Sequence, residues 1–209
     1  RVGSIVMLRR SIDSAPHKVG PALVCPPRAV TVRFRRLDAR DRTARLALFA
    51  RLEPEARRAR WLAASDAAAP PEPALALGAF CGPRLVGVGE LYPWTEAAAG
   101  ELALAVDPVF RRRGIGRALL ERAAALARNR FWRALFAFCA ADNAAVLALV
   151  RRCGARLRLE PPEAYAIVPL LSPTPATFAL EFLDLAELWR ERLRPPAATA
   201  PFPGIARPR

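Results

Sequence analysis

Histidine, lysine and tyrosine are nearly missing from this 209-residue chain, which holds one histidine (His17), one lysine (Lys18) and two tyrosines. With a single histidine, the nucleophile triads that need an imidazole drop out, as do zinc sites of the Cys2His2 and HExxH kinds. The four cysteines, Cys25, Cys81, Cys139 and Cys153, include no pair at metal-ligand spacing. Three of them sit in apolar segments, so they read as reduced core thiols, and no metal is expected. Long apolar runs are absent too: none approaches the roughly 18 to 20 residues of a membrane span. The twin arginine Arg9-Arg10 is not followed by the apolar core of a signal peptide, because Asp13, His17 and Lys18 interrupt it. The expectation is a cytoplasmic protein without a membrane partner.

The want of lysine also changes the meaning of the charge. The net charge is +14, yet of 33 basic residues all but Lys18 are arginine. Alanine is inflated as well, and there are 21 prolines, a joint excess that a GC-rich coding sequence produces. Arginines scattered over every segment read as a solvated surface rather than a phosphate stripe, so no nucleic-acid partner is expected. With 53% apolar and 25% charged residues the chain should fold, and its length suits one domain.

Residues 1–30 lack a sustained period and read as a loosely held leader. A half-buried strand is expected at 31–36, where Val32 and Phe34 alternate with arginines. Asp38 or Asp41 can cap a following helix that carries Leu48, Phe49 and Leu52. Pro54 suits the first turn of a short helix to about Trp61, followed by a linker over 63–73. A hairpin is expected from 74–81 and 84–91 across Gly82-Pro83, with Gly87 and Gly89 marking close approach by another backbone or a ligand. Strands at 101–106 and 134–140 read as buried on both faces. Helices are expected over 116–128 and from Asp142-Asn143 to Arg152, the latter ended by Gly154. A closing hairpin of 156–159 with 177–184, spanning a proline-rich loop, precedes a last helix over 185–193, which could dock on the domain or on a second copy. The tail beyond Pro195 reads as unstructured.

The segment Val106-Asp107-Pro108-Val109-Phe110-Arg111-Arg112-Arg113-Gly114-Ile115-Gly116-Arg117-Ala118 carries the chemistry. A strand, a glycine loop and a helix start form an anion site, because the first helical N–H groups lack intrahelical acceptors and the helix dipole adds positive potential. Gly114 and Gly116 admit close approach, and Arg111, Arg112, Arg113 and Arg117 add charge suited to a diphosphate. No third glycine follows at Leu119, so the dinucleotide fingerprint is not met, and no Gly-Lys-Ser/Thr is present. The pattern resembles the acetyl-CoA loop of the GNAT superfamily of N-acetyltransferases, Arg/Gln-x-x-Gly-x-Gly/Ala, met by Arg111, Gly114 and Gly116. Ala140-Ala141-Asp142-Asn143 through Gly154 is similar to the asparagine-containing helix of that family. The resemblance covers about 31–185, is most specific over 100–156, and looks closest to the bacterial protein-lysine acetyltransferase branch.

That resemblance implies an α/β (α+β) GNAT fold: a mixed, mostly antiparallel sheet of six to seven strands, splayed at strands 4 and 5 and flanked by about four helices. The domain would be 31–185, with 186–209 a C-terminal helix and tail. It implies acetyl-CoA as co-substrate, with pantetheine against Ala105 and Val106 and the pyrophosphate on the amides of Arg112, Arg113, Gly114, Ile115, Gly116, Arg117 and Ala118. Asn143 would orient pantetheine or water, or merely cap its helix. Glu101 is the candidate base, where lysine-modifying members carry a catalytic glutamate, and Glu90 is the alternative. The tyrosine that many relatives place seven residues beyond the asparagine is Val150 here. Cys139 lacks a histidine to activate it, which favours direct attack by a primary amine, a small molecule or a protein lysine, over an acetyl-cysteine. A non-catalytic acyl-CoA sensor is the other reading; the sequence leaves acceptor and oligomeric state open.

Overall fold

A computed structural model describes residues 31–53 and 72–194. The expected leader, the helix after Pro54, most of the linker and the tail beyond Pro195 lie outside them. Thirteen elements follow in order. They are strand β1 (Val32–Arg36), a 3-10 turn (Ala39–Asp41), helix α1 (Arg42–Ala50), strands β2 (Leu75–Cys81), β3 (Arg84–Pro93) and β4 (Ala99–Val106), and a second 3-10 turn (Pro108–Phe110). Helix α2 (Ile115–Arg128), strand β5 (Ala134–Ala140), helix α3 (Ala144–Arg152), strands β6 (Arg156–Glu160) and β7 (Glu163–Pro169), and helix α4 (Pro175–Arg192) complete the order.

The seven strands form one sheet in the order β1-β2-β3-β4-β5-β7-β6. Every pairing is antiparallel except that of β4 with β5. α2 repeats apolar residues at Ile115, Leu119, Leu120, Ala123 and Leu126, a stripe of helical period that packs on Leu77, Val86, Leu91 and Leu102 of the sheet. Leu119, Leu120 and Leu126 are almost wholly buried, each worth roughly 1.5–3 kcal/mol on leaving water. Gly87 and Gly89 explain how closely α2 sits. A Cβ at Gly87 would lie 3.1 Å from both Ile115 and Leu119, so the close approach expected from these glycines is that of α2. On the opposite face Leu48 and Phe49 of α1 meet Phe80, Leu85, Val88 and Ala105. α3 covers β5 and β7, with Val150 on Ala137 and Ala166, and Leu147 on Cys139 and Ala164.

Two expectations are corrected. The partner of β6 is β7, inside the segment read as a proline-rich loop, and 177–184 is not a strand but the first half of α4. Phe178, Leu180 and Phe182 do alternate, but Thr174 caps a helix with Pro175 in its first turn, and Thr174 and Thr177 bond reciprocally as a capping box. β7 escaped notice because its buried face is built from Ala164, Ala166 and Val168 while Tyr165 and Ile167 look outward. Nor are β4 and β5 buried on both faces. Leu135, Ala137 and Cys139 point to the core, whereas Phe138 is largely exposed.

The first edge of the sheet is joined to α4 by charge. Arg35, almost fully buried, donates through Nη1 and Nη2 to Asp41 at 2.8 Å and through Nε to Glu191 at 2.8 Å. Asp41 also receives the Asp38 N–H at 3.0 Å and Arg192 at 3.0 Å. Asp41 therefore spends its carboxylate on this network, while Asp38 caps the 3-10 turn through the Arg40 N–H. Burial alone would raise the Asp41 pKa, but these bonds and the charges of Arg35 and Arg192 hold it below the ordinary value.

Removing one member of such a pair strands the other, so Asp41→Ala should cost about 3–5 kcal/mol in urea unfolding at neutral pH. Because the folded value is the lower one, this stabilisation is present above the unfolded pKa of about 3.9 and lost as pH falls through the folded value. The gap between parent and Asp41→Ala should close in acid, and a gap that persists would refute the assignment.

Candidate functional site

β4 and β5 pair over three residues only, Ala99 with Ala134, Gly100 with Leu135 and Glu101 with Phe136. Beyond Glu101 the strands part, and β4 continues to Val106 beside β3 alone. The Asp107 N–H donates to Val86 O at 2.9 Å, which sets the alternation: odd-numbered residues of β4 bond to β3, and the peptide groups of Leu104 and Val106 face the opening. Of the two residues expected to line it, Val106 turns its backbone there, whereas Ala105 is engaged with Val88 across the ladder.

The chain leaves β4 through Asp107, which caps the 3-10 turn by accepting the Val109 N–H at 3.2 Å. Asp107 also accepts Arg51 Nε and Arg84 Nη2, each at 2.7 Å. Its burial works to raise the pKa, and these two guanidinium groups outweigh it, so the carboxylate is held below its usual range. A buried anion thus pins the end of α1, the start of β3 and the exit of β4 to one point. Arg112 (φ 63°) and Gly114 (φ 78°) then both adopt left-handed backbone, a turn that gathers N–H groups on one side. Gly114 stands at the N-cap of α2 and supplies no side-chain cap, and the first intrahelical bond runs from Ala118 N to Gly114 O at 3.0 Å. The N–H groups of Ile115, Gly116 and Arg117 are left to an outside acceptor, with the positive end of the helix behind them.

The arginines of this loop divide. Arg111 is held by Glu53 through a two-pronged pair at 2.6 and 2.7 Å, and its Nε donates to Val106 O at 3.3 Å. Arg117 is paired with Glu121. Arg113 lies over the Phe110 ring at 5.6 Å, and Arg112 has no ion-pair partner among the described residues. Arg112 and Arg113 are the cations of the loop left available to an anion.

Glu101, Ala103 and Ala105 look to the face that α1 occupies, opposite to α2. Glu101 is half-buried and stands at the fork, cross-strand from Tyr92. Glu90, two residues back on β3 and fully buried, accepts Arg45 Nε at 2.9 Å and Tyr92 Oη at 3.1 Å, and Arg45 also reaches Glu72 at 2.9 Å. A carboxylate so enclosed is a structural anchor for α1. Next to Glu101 the same face carries Trp94 stacked on Phe136 (centroids 4.3 Å apart) and Phe138 beside Tyr165 (6.3 Å). These aromatics were not singled out from the sequence; the alternation Phe136, Phe138 was their signal, hidden by the assumption of a strand buried on both sides.

Asn143 caps α3, its Oδ1 accepting the Val146 N–H at 3.2 Å. Val150, where a tyrosine was sought, is buried. Burial and the nearby Asp142 push the Cys139 thiol up, so little thiolate forms. Cys81, Cys139 and Cys153 are free thiols. Among the described residues no three His, Cys, Asp or Glu side chains converge as a metal site, and no helix is long and apolar enough to cross a membrane.

The profile of the acetyltransferase (GNAT) family matches residues 35–155. Among solved structures, the GNAT domain of S. lividans PAT is 20% identical, with a TM-score of 0.56 over 66% of this chain and 90% of that one. The ribosomal-protein-S18-alanine N-acetyltransferase of Escherichia coli is 22% identical, with a TM-score of 0.52 over 69% and 96%. The PaiA N-acetyltransferase of Thermoplasma acidophilum, solved with coenzyme A, is 15% identical, with a TM-score of 0.52 over 66% and 99%. No curated protein matches the sequence.

The two loop glycines should respond differently to a methyl group. Gly114 has open space around it but a positive φ, so Gly114→Ala should cost about 1–2 kcal/mol in urea unfolding. A Cβ at Gly116 would meet Leu149 at 3.6 Å and Val106 at 3.8 Å, ordinary contacts, so Gly116→Ala should be neutral or stabilising. Equal costs would contradict the backbone geometry described.

Proposed function

Since the chain belongs to the GNAT acetyltransferase family, we propose that it moves the acetyl group of acetyl-CoA to a primary amine by direct attack, with donor and acceptor bound together. One observation carries the reading: the fork of β4 and β5 and the uncapped start of α2 lie at the two ends of the same short segment, 101–115. The fork suits an extended pantetheine, which can bond the peptide group of Leu104 and the carbonyl of Val106 as an added strand would. The bare amides of Ile115, Gly116 and Arg117 suit a diphosphate, with Arg112 and Arg113 adding charge. Bound there, acetyl-CoA supplies a thioester carbonyl as electrophile.

The protein's own groups supply the rest. The Val106 N–H faces the opening and is the donor for the carbonyl oxygen. An amine attacks only when neutral, and an unperturbed lysine has a pKa near 10.4, so a base helps. Glu101 is that base: it stands where the strands part, while Glu90 is enclosed by Arg45 and Tyr92. Arg111 positions the exit of β4 through Val106 O and Glu53 rather than offering free charge. Asn143 serves as a helix cap. The departing thiol takes its proton from water, since Val150 offers none and a thiol of pKa near 8.5 leaves without urgent protonation. Trp94, Phe136, Phe138 and Tyr165 beside Glu101 suit an amine on an apolar stem, including a protein lysine, whose ammonium the rings attract before deprotonation. The buried Val150 gives a second reading some support, that of a sensor which binds acyl-CoA without turnover.

Gly114→Glu, placing an anion in the loop, should weaken acetyl-CoA binding by calorimetry at least tenfold; unchanged affinity would remove the loop from the site. Glu101→Gln should leave that affinity intact and lower amine-dependent release of free thiol about 10²- to 10⁴-fold. A parent protein that binds acetyl-CoA yet releases no thiol with any of a panel of amines would favour the sensor.

A further inference from the structure

Helices on protein surfaces turn apolar residues inward and charges outward, and α4 does the reverse. Its domain-facing residues are Thr177, Leu180, Glu181, Asp184, Glu187, Leu188, Glu191 and Arg192, of which only Leu180 and Leu188 are apolar. Thr177 Oγ1 donates to Asn129 at 2.6 Å, Glu181 accepts Arg130 at 2.9 Å, Asp184 accepts Arg122 at 3.2 Å, Glu187 accepts Arg33 at 3.0 Å and Glu191 accepts Arg35. The outer side holds Phe178, Phe182, Leu183, Leu185, Trp189 and Leu193, all between 40% and 77% exposed. Leu185 and Trp189 thus look out while Leu188 looks in.

At roughly 200 Å² for a large apolar side chain, these six leave on the order of 700 Å² in water. That exceeds the ~300–600 Å² of the largest patch on an ordinary monomer and approaches the ~800 Å² each partner gives to a standard interface. The order of the residues adds a partner. Phe178, Phe182, Leu185 and Trp189 are spaced four, three and four apart, the seam of a helix that packs along another helix. The seam is nearly symmetric about its middle. Run against itself in the opposite direction, it brings Phe178 against the partner's Trp189 and Phe182 against the partner's Leu185, and a twofold axis makes each contact twice. Charge permits the approach: two chains of net charge +14 repel in general, but the exposed cation on this side, Arg190, is held by Glu187 at 2.6 and 2.7 Å.

We propose that the outer face of α4 is the interface of a homodimer in which the α4 helices of two copies pack antiparallel. Sedimentation velocity on the full chain should show a concentration-dependent species of twice the 22.8 kDa chain mass. Phe182→Glu should raise the dimer dissociation constant at least 100-fold while circular dichroism and the thermal midpoint stay close to those of the parent, since that side chain is 69% exposed in the single copy. Phe178→Arg and Trp189→Glu should each weaken the dimer, and the two in one chain should restore it, because these positions meet only in the antiparallel arrangement. A chain that stays monomeric to about 100 μM overturns the proposal, and flotation of such a monomer with phosphatidylcholine/phosphatidylglycerol vesicles would make the face a lipid surface instead. A dimer insensitive to Phe182→Glu overturns it too, and failure of the double variant to recover overturns the antiparallel pairing.

Discussion

β4 can be paired on only one side past Glu101, and the remainder of the site follows from that limit. A parallel ladder of three residue pairs holds the strands together at Ala99–Glu101; from there the peptide groups of Leu104 and Val106 have no neighbouring strand. Unpaired main chain inside a sheet is costly unless something bonds to it, which is why the proposed reading puts an extended ligand there. The same parting sets Glu101 at the mouth and leaves Phe136 and Phe138 uncovered by any described helix. It also hands the chain to Asp107, whose two arginines fix where α2 begins. The fork, the placement of Glu101 and the uncovered aromatic face are therefore consequences of one interruption in pairing.

The arginine excess takes on a different meaning in three dimensions. Many of the arginines that read as surface scatter are committed to carboxylates: Arg35 to Asp41 and Glu191, Arg45 to Glu90 and Glu72, Arg51 and Arg84 to Asp107, Arg122 to Asp184, Arg130 to Glu181. Guanidinium can serve two acceptors at once with fixed geometry, which an ammonium does less well. Where such pairs are buried they act as joints between elements, α1 to β3 through Glu90 and α4 to β1 through Arg35. Compositional bias and structural use are compatible, since a chain supplied with arginine can place it where a bidentate donor is needed.

α4 shows how that use can reverse an ordinary rule. Once its acidic residues are drawn inward to arginines of β1 and α2, its phenylalanines and tryptophan can only point outward. Hydrophobic exposure on this helix is therefore the counterpart of an ionic attachment on its other side.

Local rules made much of the chain legible. The strand before Asp38, the hairpin across Gly82-Pro83, the glycine loop with α2, and α3 between Asn143 and Gly154 each follow from caps, turn residues and short periods that act within a few residues. The segment 163–184 was not legible, although the helix expected from 185 is the second half of α4. Its strand buries alanines, and the apolar residues of its helix alternate as those of a strand do, so periodicity alone chose the wrong element. Which residues matter around Glu101 was likewise hidden: that Glu90 is sealed by Arg45, that Arg111 belongs to Glu53, and that Trp94 meets Phe136 are contacts between positions 42 to 58 residues apart. The amino-acid order by itself determined most of the elements and the glycine turn before α2, because those depend on neighbours in the chain. Only the tertiary structure decided that Glu90 is enclosed and which face of the last helix is left open, because burial and ion pairing depend on what the fold brings from far away.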